Sequence, residues 1–203
     1  MAPITQPDKV ICVGMNYKDH CEEIGAPIPK EPVVFNKFPS CIIGPNDDIH
    51  YPEISKELDW EVELVIVIGK TGFNISESQA ADYIFGYTVA HDVSARDWQR
   101  KNGGQVLLGK SMDAFCPLGP CIVTSDEVGD PHNLNLKCLD NGVVKQNSNT
   151  QNLVFDTNQI VSWCSKFFTL LPGDLILTGT PPGVGFGMKP PQYLKVCTLF
   201  LGN

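Results

Sequence analysis

A β-dominated α+β fold is what this 203-residue sequence predicts, and three observations carry that reading. Residues 59–68 alternate and are rich in β-branched side chains, the pattern of a strand. Asn141-Gly142, set between two apolar–polar stretches in residues 134–147, is the strongest two-residue hairpin signal available. Elsewhere many short strand patterns are separated by few short helical ones.

In chain order, residues 9–14 form a short strand, and 16–24 a short polar helix ended by Gly25. A loop carrying Pro27, Pro29 and Pro32 leads to strand pieces at 33–38 and 48–51. Ser76 with Gln79 has the spacing of a capping box, which opens a helix over 80–85. A strand at 86–92 runs into a polar turn and a helix within 94–101. Asp156 and Gln159 cap a later helix whose Ile160, Val161, Cys164, Phe167 and Phe168 share one face. Pro172-Gly173-Asp174 then turns into a strand at 175–177, followed by a Gly/Pro loop at 178–187.

Length favours one domain. Hydrophobic residues at 42% and charged residues at 19% exclude a disordered chain, a collagen-like repeat and a coiled coil. Lys+Arg 15 against Asp+Glu 23 gives a net charge of -8, which argues against nucleic-acid and anionic-membrane partners. No apolar run approaches the roughly 20 residues of a membrane helix, and no targeting peptide is visible. The eight cysteines form no C-x-x-C pair, and several sit among apolar neighbours, so they read as reduced core thiols. The expectation is a soluble globular protein handling a small molecule. Its only arginines, Arg96 and Arg100, lie about one helical turn apart.

Four constellations could carry chemistry. Glu61 and Glu63 share one face of the best strand, with Val62, Leu64, Ile66 and Ile68 on the other. Two adjacent carboxylates either face water or hold a hard cation. Val65 and Val67 on the glutamate side suggest that this side too is buried. Asp92, at the end of the 86–92 strand, offers a third oxygen or a helix cap; three carboxylates suit Mg²⁺ or Mn²⁺ rather than zinc. His20 and Glu23 stand at helical i, i+3 spacing, where a carboxylate can orient an imidazole; scattered surface charge is the plainer reading. Residues 104–111 (GQVLLGKS) match the phosphate-loop pattern, but a polar stretch precedes them and Pro117 and Pro120 come soon after, so an NTPase is not expected. Lys110 remains an isolated cation near a carboxylate site.

Taken together these residues resemble the fumarylacetoacetate hydrolase family. The matching stretches are 11–20 (ICVGMNYKDH), 59–70 (DWEVELVIVIGK), 88–98 (TVAHDVSARDW), 108–111 (LGKS) and 175–185 (LILTGTPPGVG), in the family's order. The resemblance implies a mixed β-sandwich roll, a homodimer and one Mg²⁺ or Mn²⁺ held by Glu61, Glu63 and Asp92. It assigns Lys110 to the site lysine, Arg96, Gln99 and Thr180 to substrate-binding positions, and His20 with Glu23 to a catalytic dyad on a lid helix. Met15 departs from an arginine carried by some relatives, which removes one partner for a substrate carboxylate. The implied chemistry acts on a small dicarbonyl acid through an enolate stabilised by the cation and Lys110. Oxaloacetate tautomerisation in mitochondria is the favoured outcome, with C–C hydrolysis or oxaloacetate decarboxylation as alternatives.

The resemblance covers residues 1–195 as a catalytic domain and fails over a divergent tail at 196–203. Two further strands with acidic positions are expected there in the family. The sequence therefore predicts a domain lacking its last strands, in which the short tail replaces one strand but not two. An inactive isoform acting only by dimerisation is the competing expectation.

Overall fold

The structure is a computed structural model that describes residues 1–196 and 200–202. In chain order, the first half contains strands β1 (Val10–Gly14), β2 (Val33–Lys37), β3 (Ile42–Ile43), β4 (Leu58–Asp59), β5 (Val62–Ile68), β6 (Ile84–His91) and β7 (Ser94–Ala95). The second half adds β8 (Cys116–Pro117), β9 (Val123–Thr124), β10 (Asn135–Asp140), β11 (Val143–Asn149), β12 (Leu175–Leu177) and β13 (Phe200–Gly202). Helices are short: α1 (Lys18–Glu23), α2 (Arg96–Gln99), α3 (Leu107–Lys110), α4 (Ser125–Val128) and α5 (Thr157–Ser165). Strands dominate, as the sequence predicts.

The central sheet runs in the order β2-β1-β12-β5-β6-β9. It is mixed, because β1 and β12 pair in parallel while its other neighbours are antiparallel. Both faces are buried, and the period-two alternation sorts its side chains into two cores. Val10, Cys12, Val65, Val67, Leu175 and Leu177 enter one core, with Trp60 and Phe115. Ile11, Val13, Leu64, Ile66, Ile68 and Ile176 enter the other, which α5 closes with Ile160, Val161 and Cys164. Val62 joins the first core rather than the side of Leu64, a departure from strict alternation at the strand's start.

A second sheet, β11-β10-β13, is built on the hairpin. Asn141 (φ 50°) and Gly142 (φ 80°) both take positive φ, the geometry a type I′ turn demands. Residues 200–202 pair antiparallel with β10, so part of the tail does add one strand.

Several local expectations are corrected. Residues 48–51 form no strand; the short strand in that region is β3, paired in parallel with β8. The expected strand 59–68 is split, Leu58–Asp59 pairing with β7 and Val62–Ile68 with β6. The Ser76 hydroxyl bonds the Gln79 side chain (2.8 Å) rather than the helix backbone. The segment Glu77–Tyr83 is a 3-10 turn rather than an α-helix, and Phe85 already belongs to β6. The Asp156–Gln159 capping box does form. Its helix stops at Ser165, however, leaving Phe167 and Phe168 exposed beyond the end.

Candidate active site

Register assembles the acidic cluster. In the β5–β6 pair Val62 stands opposite His91, so Glu61 and Asp92, one step outside, face each other; the Asp92 N–H donates to the Glu61 carbonyl (2.9 Å). Glu63 lies two residues along the same side. Glu61, Glu63 and Asp92 bring one oxygen each within 4.8 Å of one another, and all three are buried. The solvated-face and helix-cap readings therefore do not hold for them.

Cations from three other elements surround the cluster. Lys110, ending α3, donates to Glu61 Oε2 (2.6 Å) and Asp92 Oδ2 (2.7 Å). Arg96, opening α2, places Nη2 on Glu61 Oε1 (2.6 Å), Nε on Asp59 Oδ2 (2.8 Å) and Nη1 on Gln99 Oε1 (3.0 Å). Lys37, ending β2, donates to Asp92 Oδ1 (2.7 Å), the Val93 carbonyl and the Lys110 carbonyl.

Electrostatics separates the two glutamates. Burial alone would raise the Glu61 carboxyl, but Lys110 and Arg96 beside it hold it well below the usual carboxylate range. Glu63 goes the other way, pushed up by burial and then by the like charges of Asp92 and Glu61. Its own donor is the Gly179 N–H (2.7 Å) in the loop after β12. Gly179 has φ +103°, and a Cβ there would meet Asn16 Cβ at 2.8 Å, so the loop's approach requires glycine. Burial pulls the Lys110 ammonium down, yet Asp92 and Glu61 more than offset this and leave its pKa raised. A trio of hard oxygens, one destabilised by its neighbours' charge, fits a divalent oxygen-seeking cation such as Mg²⁺ or Mn²⁺.

The second part of the site is α1. His20 is buried, and its Nδ1 lies 2.9 Å from Glu23 Oε2. The other Glu23 oxygen accepts the Gly183 N–H (2.8 Å), latching the helix to the 178–187 loop. Asn16 pins the opposite end through the Phe155 and Thr178 carbonyls. Thr180 donates to the Val62 carbonyl (3.1 Å) and accepts from Gln146 Nε2 (2.8 Å).

A cleft of about 240 Å³ is lined by His20, Glu61, Glu63, Lys110, Thr180 and Arg96, among others. Gln99, Met15 and Arg100 also line it. Seven of the nine residues expected at the site line this cleft; Asp92 and Glu23 do not, Asp92 bonding Lys110 and Glu23 bonding His20 from behind. Three contributors escaped the sequence reading: Lys37, Asp59 and Gln146. Asp59 is fully buried and takes four donors, from Trp60 N, Gly185 N, Phe186 N and Arg96 Nε. Only its place beside Trp60-Glu61 hinted at such a role.

The comparisons agree with this architecture. Residues 9–197 match the model of the fumarylacetoacetate (FAA) hydrolase C-terminal family. Over 196 residues, 96% of this chain, the sequence is 62% identical to a Xenopus laevis protein named oxaloacetate tautomerase fahd2, mitochondrial, covering 61% of that protein. A human protein named oxaloacetate tautomerase FAHD2A, mitochondrial, is 59% identical, with 62% of it covered. The chain thus spans about three fifths of the length of these curated relatives. Among solved structures, a putative HpcE protein from Mycobacterium smegmatis aligns at TM-score 0.95 and 40% identity over 100% of this chain and 72% of that one. A fumarylacetoacetate hydrolase from Exiguobacterium antarcticum aligns at 0.91 and 42%, over 100% and 73%. Fold, motif order and a family match over nearly the whole sequence converge: the chain belongs to the fumarylacetoacetate hydrolase family.

Proposed function

We propose that this chain holds Mg²⁺ or Mn²⁺ on Glu61, Glu63 and Asp92 and tautomerises the enol and keto forms of oxaloacetate. The observation that carries the reading is a buried carboxylate trio, two of whose members line one cleft with Lys110 and with His20, which Glu23 orients. The names of the relatives support the choice of substrate.

A divalent cation on the trio supplies Lewis-acid polarisation of a carbonyl oxygen. The chain's own groups handle the proton. With Nδ1–H donated to Glu23, the His20 ring leaves Nε2 as its accepting nitrogen. That nitrogen takes the enol hydroxyl proton and, as imidazolium, His20 returns one proton to C3, so the reaction balances with no change in oxidation state and the imidazole is regenerated. The charged Lys110 ammonium opposes the negative charge that develops on oxygen. Asp59 and Gln99 hold Arg96, and Arg96 holds Glu61, fixing the trio's outer edge.

The test monitors enol-oxaloacetate decay by ultraviolet absorbance, with EDTA as control. Glu61→Ala is expected to lose at least about 100-fold in rate. Full metal-dependent activity in Glu61→Ala would sink the mechanism. Pyruvate in the product would point to decarboxylation instead. The relatives' names also support a mitochondrial setting, tested by cell fractionation, and the family resemblance supports a homodimer, tested by light scattering.

A further inference from the structure

Both arginines of the chain line the same cleft, but they are not equivalent. The Arg96 fork is engaged by Asp59, Glu61 and Gln99, so its nitrogens serve the protein. Arg100 comes one turn later, its N–H donating to the Arg96 carbonyl (3.2 Å), about 6 Å further along the helix axis. Its side chain is half exposed. Its guanidinium carbon lies 5.1 Å from the centre of the Phe186 ring, another cleft residue, and Nη2 meets Glu57. A guanidinium has five donors, so an ion pair through Nη2 leaves capacity for a second anion.

Charge points the same way. With every group ionised, the buried carboxylates Asp59, Glu61, Glu63 and Asp92 outnumber the buried cations Lys37, Arg96 and Lys110 by one. A divalent cation turns that excess into one positive charge, enough for one substrate carboxylate. A second carboxylate, a few bonds further out, needs a cation on the cleft wall. Met15, which also lines the cleft, offers none.

Resting on the oxaloacetate reading above, we infer that Arg100, steadied by Phe186 and Glu57, is the specificity-determining residue that binds the distal carboxylate of a dicarboxylate substrate. The cleft then selects dianions over the same molecules with that charge removed.

The test uses the Mg²⁺-loaded protein and two readouts. Turnover compares enol-oxaloacetate with its distal methyl ester. Calorimetry compares oxaloacetate difluorinated at C3, which cannot enolise, with its own distal methyl ester. Wild type is expected to prefer the dianion by about tenfold or more in both, the discrimination of one charge-assisted contact. Arg100→Gln should bring the two ligands within about twofold of each other, and Arg100→Lys should retain part of the preference. Absence of preference in wild type overturns the inference, as does its persistence in Arg100→Gln. Equal losses on dianion and ester would make Arg100 a structural partner of Glu57 and also overturn it. No turnover on either substrate, together with a binding preference that Arg100→Gln erases, would refute the tautomerase reading and leave the role of Arg100 standing.

Discussion

Lys37 is the sharpest point at which to perturb this protein, because an ammonium sits fully buried at the end of a strand with no solvent to fall back on. Its Nζ serves Asp92 Oδ1 and the carbonyls of Val93 and Lys110, joining β2, the end of β6 and α3. Burial would lower its pKa, but Asp92 beside it raises it above the ordinary lysine value, so the group stays charged. Lys37→Met keeps the stem and removes the charge. It leaves two carbonyls short of a donor and Asp92 with one cation fewer. Breaking a buried pair from one side costs about 3–5 kcal/mol. At roughly 2–4 °C per kcal/mol for a chain of this size, the melting temperature in EDTA should fall by roughly 6–20 °C.

Calorimetric melts of Lys37→Met, Asp92→Asn and the double variant separate this from a mere packing defect. Once Asp92 is neutral, the missing ammonium matters less, so the double variant should be more stable than the sum of the singles predicts by about 1–3 kcal/mol. A single-variant loss below about 1 kcal/mol, or strict additivity, would refute the view that Lys37 compensates Asp92.

Two further outcomes rest on the same kind of geometry. A Cβ on Gly183 (φ +102°) would lie 2.0 Å from the Lys145 carbonyl oxygen, and the Gly183 N–H holds Glu23. Gly183→Ala should therefore lower the melting temperature by roughly 4–10 °C, while Gly173→Ala, where φ is +88° with open space around it, should cost only the backbone strain of about 1–2 kcal/mol; equal losses in the two would contradict the steric argument. For the thiols, burial pushes Cys164 up to about 12, whereas Cys121 is exposed. The Cys164 thiolate is scarce until the pH nears that value, so native protein treated with iodoacetamide at about pH 8 should be alkylated at Cys121 and spared at Cys164 by peptide mapping; comparable labelling would show that the core around α5 opens.

What the sequence disclosed and what it hid differ by the range of the interaction. The hairpin was legible because Asn141-Gly142 sets its own φ values, and the Asp156 cap because both its partners lie within one turn. Glu61, Glu63 and Asp92 were legible as a pattern on two strands, although their meeting depends on the Val62–His91 register. Lys37 was not, since a lysine between Asn36 and Phe38 looks like any solvated strand position until α3 and residues 92–93 close over it. Asp59 was hidden for the same reason, its donors arriving from residues 96, 185 and 186. Gln146 reads as a polar hairpin residue, yet its amide reaches Thr180 and Pro181. Local spacing also misled: Ser76 and Gln79 have capping-box spacing, but their side chains bond each other above a 3-10 segment.

The site therefore doubles as a structural joint. Placing three carboxylates together inside a sheet that is buried on both faces is unfavourable by itself. The chain offsets it with Lys37 from β2, Arg96 from α2 and Lys110 from α3, each tied to a different stretch of backbone. Those same ion pairs draw the edge strand, α2, α3 and the segment after β6 around one point, while the loop after β12 is drawn in by its own N–H groups on Glu63 and Asp59. The offset is incomplete, because four buried carboxylates face three cations, and burial with the like charges of Asp92 and Glu61 raises the Glu63 pKa. A divalent cation added there would stabilise the folded state and equip the cleft at once, so Mg²⁺ should raise the melting temperature of the wild type and raise it less in variants that neutralise Glu61, Glu63 or Asp92.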